Sequence, residues 1–308
     1  MSGRVLILGG SGRFGRNAAE AFWNAGWRVT LFDRSSDTLK EAARGVDVIV
    51  NGWNPAYTDW ARDLPALTAQ VISAAQASGA TVLIPGNVYV FGEDAPEQWD
   101  ESTPHRALNP LGRLRIDLEA AYKASSVQTI VLRAGDFLDT EASGNWFDKI
   151  MAPTLSKGVL TYPGALDRPH AWAYLPDMAQ AAVMLAEQRH ALPQFNDIPF
   201  PGYTLTGEEM AQLCGEALGK PVRAKPMNWL PLRLLSPFWP MARCLQEMRY
   251  LWNKPHRLDG STLHDLLPTF APTPPAEALA RAIEPVLRAK GPDRPKPNGA
   301  APRPAPAG

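Results

Sequence analysis

The residues with the plainest chemical purpose stand near the start of the chain. Glycines recur three apart in Gly9-Gly10-Ser11-Gly12-Arg13-Phe14-Gly15. Such spacing permits a tight turn, close approach of backbone to a ligand, and close crossing of a helix over a strand. A helix opening just behind the loop presents unpaired N–H groups and a positive dipole end to phosphate. Asp33 closes the next apolar run, where a carboxylate can accept hydrogen bonds from a ribose. The combination predicts a binding site for a nicotinamide dinucleotide. Asp33 repels a 2′-phosphate and favours NAD, whereas Arg13 and Arg34 can pair with that phosphate and favour NADP. Both cofactors stay open.

Other candidates are isolated. His170, in Asp167-Arg168-Pro169-His170-Ala171-Trp172, has a side chain suited to general acid–base work near neutrality, though a lone histidine is more often structural. Asp136 can line a cofactor or cap a turn. Tyr250 and Lys254 have a familiar Tyr-x-x-x-Lys spacing, but Pro255 follows at once and the match reads as coincidence. His256 and Arg257 read as surface residues. Cys214 and Cys244 cannot build a disulfide framework and are expected as reduced thiols. No His or Cys pair has metal-ligand spacing, so no metal is expected.

The elements that must position these groups follow from periodicity. Val5-Leu6-Ile7-Leu8 is a short continuous apolar run, the mark of a strand buried on both faces. Phe14, Ala18, Ala21, Phe22 and Ala25 then recur at helical spacing up to Gly26. Arg28–Phe32 and Val46–Val50 read as strands, and Asp63–Ser78 as a long helix stopped by Gly79. Thr81–Ile84 and Thr129–Leu132 are further strands, with a helix over Leu111–Lys123 between them. Strand and helix in alternation predict an α/β fold, a doubly wound parallel sheet of Rossmann type with a smaller C-terminal substrate lobe. The boundaries expected are 1–160 for the dinucleotide-binding domain and 161–289 for the lobe, which can return a strand to the sheet. Residues 290–308, rich in Pro, Ala and Gly, are expected to be disordered.

Bulk properties narrow the partners. The chain has 308 residues with a formal net charge of zero, which gives no reason to expect nucleic acid or an anionic membrane. The stretch Trp229–Met241 is apolar but holds three prolines and an arginine, and a spanning helix needs about 20 apolar residues. No membrane span is therefore expected, and the cytoplasm is the default address. The aromatic segment Trp229–Trp239 can line an apolar pocket, form a homo-oligomer face or pack as ordinary core, with core preferred.

Taken together the motifs resemble the extended short-chain dehydrogenase/reductase superfamily, its NAD-dependent epimerase/dehydratase group, over roughly residues 4–285. The marks are the glycine loop, Asp33, Asn51-Gly52 after a strand, and Val88-Tyr89-Val90-Phe91-Gly92 after another. Asn109-Pro110 before a helix carrying Glu119, Leu132-Arg133-Ala134-Gly135 and Tyr174-Leu175-Pro176-Asp177 complete the set. The resemblance implies that Asn51, Gly52 and Arg133 lie at the cofactor.

The family's catalytic positions are altered. Its serine position holds Asn87, its tyrosine position Leu111 and its lysine position Arg115. Leucine cannot transfer a proton, and arginine keeps its charge. Asn87 can still orient a carbonyl, Tyr89 is the nearest phenol, and Arg115 can bind ribose hydroxyls. With His170, these are the catalytic candidates. The reading is an NAD(P)-dependent oxidoreductase or epimerase-like enzyme acting on a small soluble carbonyl, hydroxyl or sugar-like substrate. The alternative is a non-catalytic dinucleotide-binding redox sensor or assembly factor.

Overall fold

The computed structural model describes residues 3–288; the tail expected at 290–308 lies outside the described residues. The first half runs β1 (Arg4–Leu8), α1 (Arg13–Asn24), β2 (Arg28–Leu31), α2 (Leu39–Ala42), β3 (Val48–Asn51), α3 (Trp60–Ser78) and β4 (Thr81–Asn87). A short strand β5 (Gln98–Trp99) and α4 (Pro110–Ala124) lead to β6 (Thr129–Ala134). Next come β7 (Asp136–Leu138), β8 (Val159–Tyr162), β9 (His170–Tyr174), α5 (Leu175–Glu187) and β10 (Phe195–Pro199). Last come β11 (Tyr203–Leu205), α6 (Gly207–Leu218), β12 (Arg223–Pro226), α7 (Leu230–Leu235), α8 (Pro240–Glu247), β13 (Arg257–Leu258), α9 (Ser261–Leu266) and α10 (Pro275–Arg288).

Six strands form one parallel sheet in the order β10-β6-β4-β3-β1-β2. From β1 the chain crosses to β2 on one side and then to β3 on the other. That reversal opens a crevice at the carboxyl ends of β1 and β3, where α/β sheets bind ligands. The inner strands β1, β3 and β6 are buried almost throughout, as their continuous apolar runs require. β2 is an edge strand, and its Leu31 is 55% exposed. Phe14, Ala18 and Phe22 of α1 pack with Leu175, Met178 and Ala182 of α5 on one face. Leu64 and Val71 of α3 and Leu118 and Tyr122 of α4 cover the other.

A third core joins β8, β9, α6 and α10 through Leu160, Tyr162, Trp172, Met210 and Leu279. Small sheets of order β11-β9-β7, β12-β8 and β13-β5 lie in the irregular half. Their strands are two to five residues long, too short for periodicity to reveal. β10 rejoins the main sheet beside β6. Among the described residues no helix is long and apolar enough to cross a membrane.

One buried cation ties the sheet's carboxyl edge together. Arg133, at the end of β6, is fully buried. Its Nε and Nη2 donate to Asp197 of β10 at 2.9 and 2.6 Å, and Nη1 and Nη2 to Glu119 of α4 at 3.2 and 2.6 Å. Nη1 also reaches the carbonyl of Asn87 at the end of β4, at 2.5 Å. A guanidinium has five N–H groups, and all are engaged, so the expectation that Arg133 contacts the cofactor is corrected: no donor is left. Burial opposes the Arg133 charge, but Glu119 and Asp197 outweigh it and raise its pKa. Burial alone would raise the Asp197 carboxyl, yet Arg133 and His105 hold it below the usual carboxylate range.

Arg133→Met would leave two carboxylates buried without their cation. The expected loss is about 3–5 kcal/mol at pH 7, read by urea denaturation. Because the folded pKa of Asp197 is depressed, its stabilisation is present above about pH 4 and lost as pH falls through the folded value. The gap between wild type and variant should therefore narrow in acid.

Candidate functional site

β1 ends at Leu8, and the chain turns through Gly9 at φ +71°, a conformation that favours glycine. The loop is shaped by backbone contacts that exclude side chains. A Cβ on Gly15 would lie 2.1 Å from the Gly9 carbonyl oxygen, and one on Gly52 would lie 2.7 Å from that of Leu8. On Gly12 a Cβ would meet that Gly9 oxygen at 3.1 Å and the Gly52 oxygen only at 4.0 Å. Gly12 is the N-cap of α1 and no side chain caps that end. An uncapped helix N-terminus of this kind can receive an anion. Ser11 is exposed, Gly10 half-buried against Leu31, and Phe14 buried in the core beneath the loop.

The expected cofactor residues divide into contacts at the loop's rim and residues that hold it. Asp33 is exposed beyond β2 and accepts from the N and Oγ of Ser35 at 2.9 and 2.8 Å. Those bonds hold its carboxyl below its usual pKa, so it is ionised at neutral pH. The Arg34 guanidinium lies 4.2 Å from the centroid of the Trp53 ring, a cation–π contact at the end of β3. Asn51 is buried and donates to the Tyr122 hydroxyl at 3.1 Å while accepting from the Trp53 N–H. Arg13 donates to the carbonyls of Ser143 and Gly144 at 3.1 and 2.7 Å. Arg16 and Asn17 both bond Asp139. The first turn of α1 is thereby fastened to residues 139–144.

The catalytic candidates fall into two groups. Asn87 accepts from the Tyr89 N–H at 3.1 Å, and the Tyr89 hydroxyl meets that of Tyr57 at 2.6 Å. Burial raises the pKa of both phenols, and the Asp136 charge adds to it; each stays protonated and can donate a proton. Arg115 is buried in α4, 5.7 Å from the Trp60 ring centroid, with its Nε lacking a partner. Burial lowers its pKa. Leu111, expected from the resemblance at the family's tyrosine position, is 3% exposed. Its N–H donates to Glu247 of α8 at 2.6 Å, and Asn109 reaches the same oxygen at 2.9 Å.

His170 belongs to the second group. Its Nε2 bonds the Asp136 carboxylate at 2.8 Å, while its buried Nδ1 has no partner. The ring stacks on Trp252 at 4.3 Å and meets His256 edge-on at 4.4 Å. His256 is 1% exposed and stacks on Trp99 at 4.6 Å, which corrects its expected surface placement. Burial, with His170 beside it, keeps the His256 pKa well below the ordinary value. The Asp136 charge also raises the pKa of Tyr162, after burial. Asp136 thus links an imidazole to three phenols, an arrangement that sequence spacing did not reveal. In the Tyr250–Lys254 pair, the Lys254 ammonium bonds the Ala95 carbonyl and the Lys254 carbonyl accepts from His256 Nδ1 at 2.9 Å.

Metal-ligand spacing in sequence also missed one spatial set, His105, Glu119 and Asp197, whose ligand atoms lie within 4.8 Å of one another. Arg133 stands 2.6 Å from both carboxylates and already supplies the positive charge a metal would bring. Burial pushes the Cys214 thiol up to about 12, consistent with an inert core thiol.

No protein-family model matches the sequence, and neither does any curated protein. Solved structures do match. MoeE5, solved with UDP-glucose and NAD, aligns at TM-score 0.72 and 16% identity over 94% of this chain and 100% of its own. A UDP-glucuronic acid 4-epimerase from Bacillus cereus, solved with UDP-glucuronic acid and NAD, aligns at 0.71 and 13%, over 93% and 99% of the two chains. PA4631, a nucleoside-diphosphate-sugar epimerase from Pseudomonas aeruginosa, aligns at 0.69 and 18%, over 94% and 99%. At these identities the likeness is one of fold: the chain shares the Rossmann-type fold of these solved structures.

Proposed function

We propose that this chain binds a nicotinamide dinucleotide at the β1–β3 crevice and acts as an oxidoreductase or epimerase-like enzyme. Its substrate is a small soluble carbonyl, hydroxyl or sugar-like compound. The observation that carries the reading is the glycine loop. Gly15 and Gly52 allow the backbone to close beneath it, while Gly12 leaves the end of α1 without a side-chain cap. The exposed, ionised Asp33 suits ribose hydroxyls and favours NAD over NADP. Arg13 holds residues 143–144, so a 2′-phosphate would have to rely on Arg34. That NAD accompanies MoeE5 and the B. cereus epimerase supports the assignment.

When bound, the nicotinamide supplies a hydride acceptor or donor. The chain's own residues supply the proton chemistry by an altered route. Asp136 bonds the His170 Nε2 and orients the ring, and His170 serves as general base and then acid. Tyr89, bonded to Tyr57, and Asn87 hold a substrate oxygen. Arg115 keeps a positive charge where the family has lysine. One observation favours the non-catalytic reading: Leu111 is buried, and its N–H is bonded to Glu247. A redox sensor or assembly factor needs no proton donor there.

Calorimetric titration with NAD⁺, NADH, NADP⁺ and NADPH should show selective binding, with NAD forms preferred. Gly12→Asp should weaken it at least hundredfold, about 2.7 kcal/mol, without unfolding; unchanged affinity would refute the loop's role. Gly15→Ala should destabilise by about 1–3 kcal/mol through overpacking, against less than about 1 kcal/mol for Gly12→Ala, compared by thermal melts. Among carbonyl and hydroxyl compounds, one that turns over bound cofactor should lose at least about tenfold in kcat with His170→Ala, typical for removal of an acid–base group. Cofactor binding with no turnover, and a partner whose affinity follows cofactor redox state, would instead establish the sensor.

A further inference from the structure

The segment preferred as core in sequence is turned outward. Trp229 is buried, with its indole N–H on the Pro163 carbonyl at 2.6 Å, and it anchors the start of α7. Beyond it α7, the turn after it and the start of α8 form a corner. There Leu230 is 54%, Leu234 66%, Leu235 47%, Phe238 86% and Trp239 45% exposed. A single exposed leucine is ordinary, but five large apolar side chains within ten residues are not. Phe238 at such exposure stands on a projecting tip, not in a groove.

The charge around this corner departs from the chain's neutral balance. Between Glu216 and Glu247 the sequence holds Lys220, Arg223, Lys225, Arg233 and Arg243 and no acid. Arg233 and Arg243 lie within the corner, both exposed, and among the described residues neither forms an ion pair.

We propose that this corner seats the protein on an anionic lipid surface, with Leu234, Leu235, Phe238 and Trp239 in the headgroup–acyl boundary and Arg233 and Arg243 on lipid phosphates. Aromatic and leucine side chains flanked by arginine are the composition that lies in such an interface, and each cation adds attraction to an anionic leaflet. A second copy docked through the same face would bring four arginines, Arg233 and Arg243 of each copy, into one interface to which residues 217–246 contribute no acid. The chain's tail beyond 288 carries Lys290, Arg294, Lys296 and Arg303 against one acid, Asp293, and is repelled likewise. Zero net charge over the whole chain conceals this local excess, which is why composition argued against an anionic membrane.

The full chain should be sedimented with vesicles of phosphatidylcholine alone and of equal parts phosphatidylcholine and phosphatidylglycerol. Binding to the anionic vesicles is expected, at least about tenfold stronger than to neutral ones and weakened by salt. The double variant L234S/F238S, altered only at exposed positions, should lose at least about tenfold of it while keeping its melting temperature. R233Q/R243Q should lose the preference for anionic lipid. Failure to bind either vesicle, or binding that L234S/F238S leaves intact, would overturn the proposal. So would a dimer in light scattering that dissociates in L234S/F238S while vesicles go unbound, since the face would then join two copies.

Discussion

Three parallel strands and a helix converge on one buried guanidinium. Arg133 extends from β6 to a carboxylate on β10, a carboxylate on α4 and the backbone of β4. Each contact is charged or charge-assisted and lies away from water, where such bonds are strong and their loss is severe. The consequence is positional. Asn87, whose carbonyl Arg133 holds, also orders the turn that carries Tyr89. Glu119 sits one helical turn past Arg115 on α4. The groups that would meet a substrate therefore hang from elements whose mutual placement a single cation sets.

This dependence explains what could and could not be read from the residues alone. The glycine loop, the buried strands and α1 are local patterns, each complete within about ten residues, and they are found where expected. Arg133 was visible, but its partners lie 14, 46 and 64 residues away. Nothing in their spacing marks Asp197 or Glu119 as its counter-charges, and only the resemblance of Leu132–Gly135 to a cofactor loop assigned it a place. His256 shows the same limit. Its neighbours in sequence are polar, and only the folding of β13 against β5 stacks it between His170 and Trp99. Short strands in the second half carry too few residues to state a period. Where long-range pairing decides the structure, sequence pattern falls silent.

The altered catalytic positions make physical sense together. With leucine at position 111 the first turn of α4 presents no phenol, and the Leu111 N–H donates to a carboxylate from α8. An anion at a helix N-terminus is favourable, and Glu247 takes that place at 2.6 Å from the Leu111 nitrogen. The candidate acid–base groups are instead the bonded pairs Asp136–His170 and Tyr57–Tyr89. Replacement of one residue is compatible with chemistry moved to another wall of the same site.

Helix α8 joins this site to the exposed apolar corner. Arg243 points to solvent from its first half, and Glu247, four residues on, caps α4. Residues four apart on a helix lie on neighbouring faces of successive turns, so a force that tilts α8 at the corner displaces the carboxylate at the cap. A lipid surface holding the corner would restrain α8, and with it the entry of α4. The same helix thus has one end suited to a boundary outside the protein and the other fastened to the element that carries Arg115.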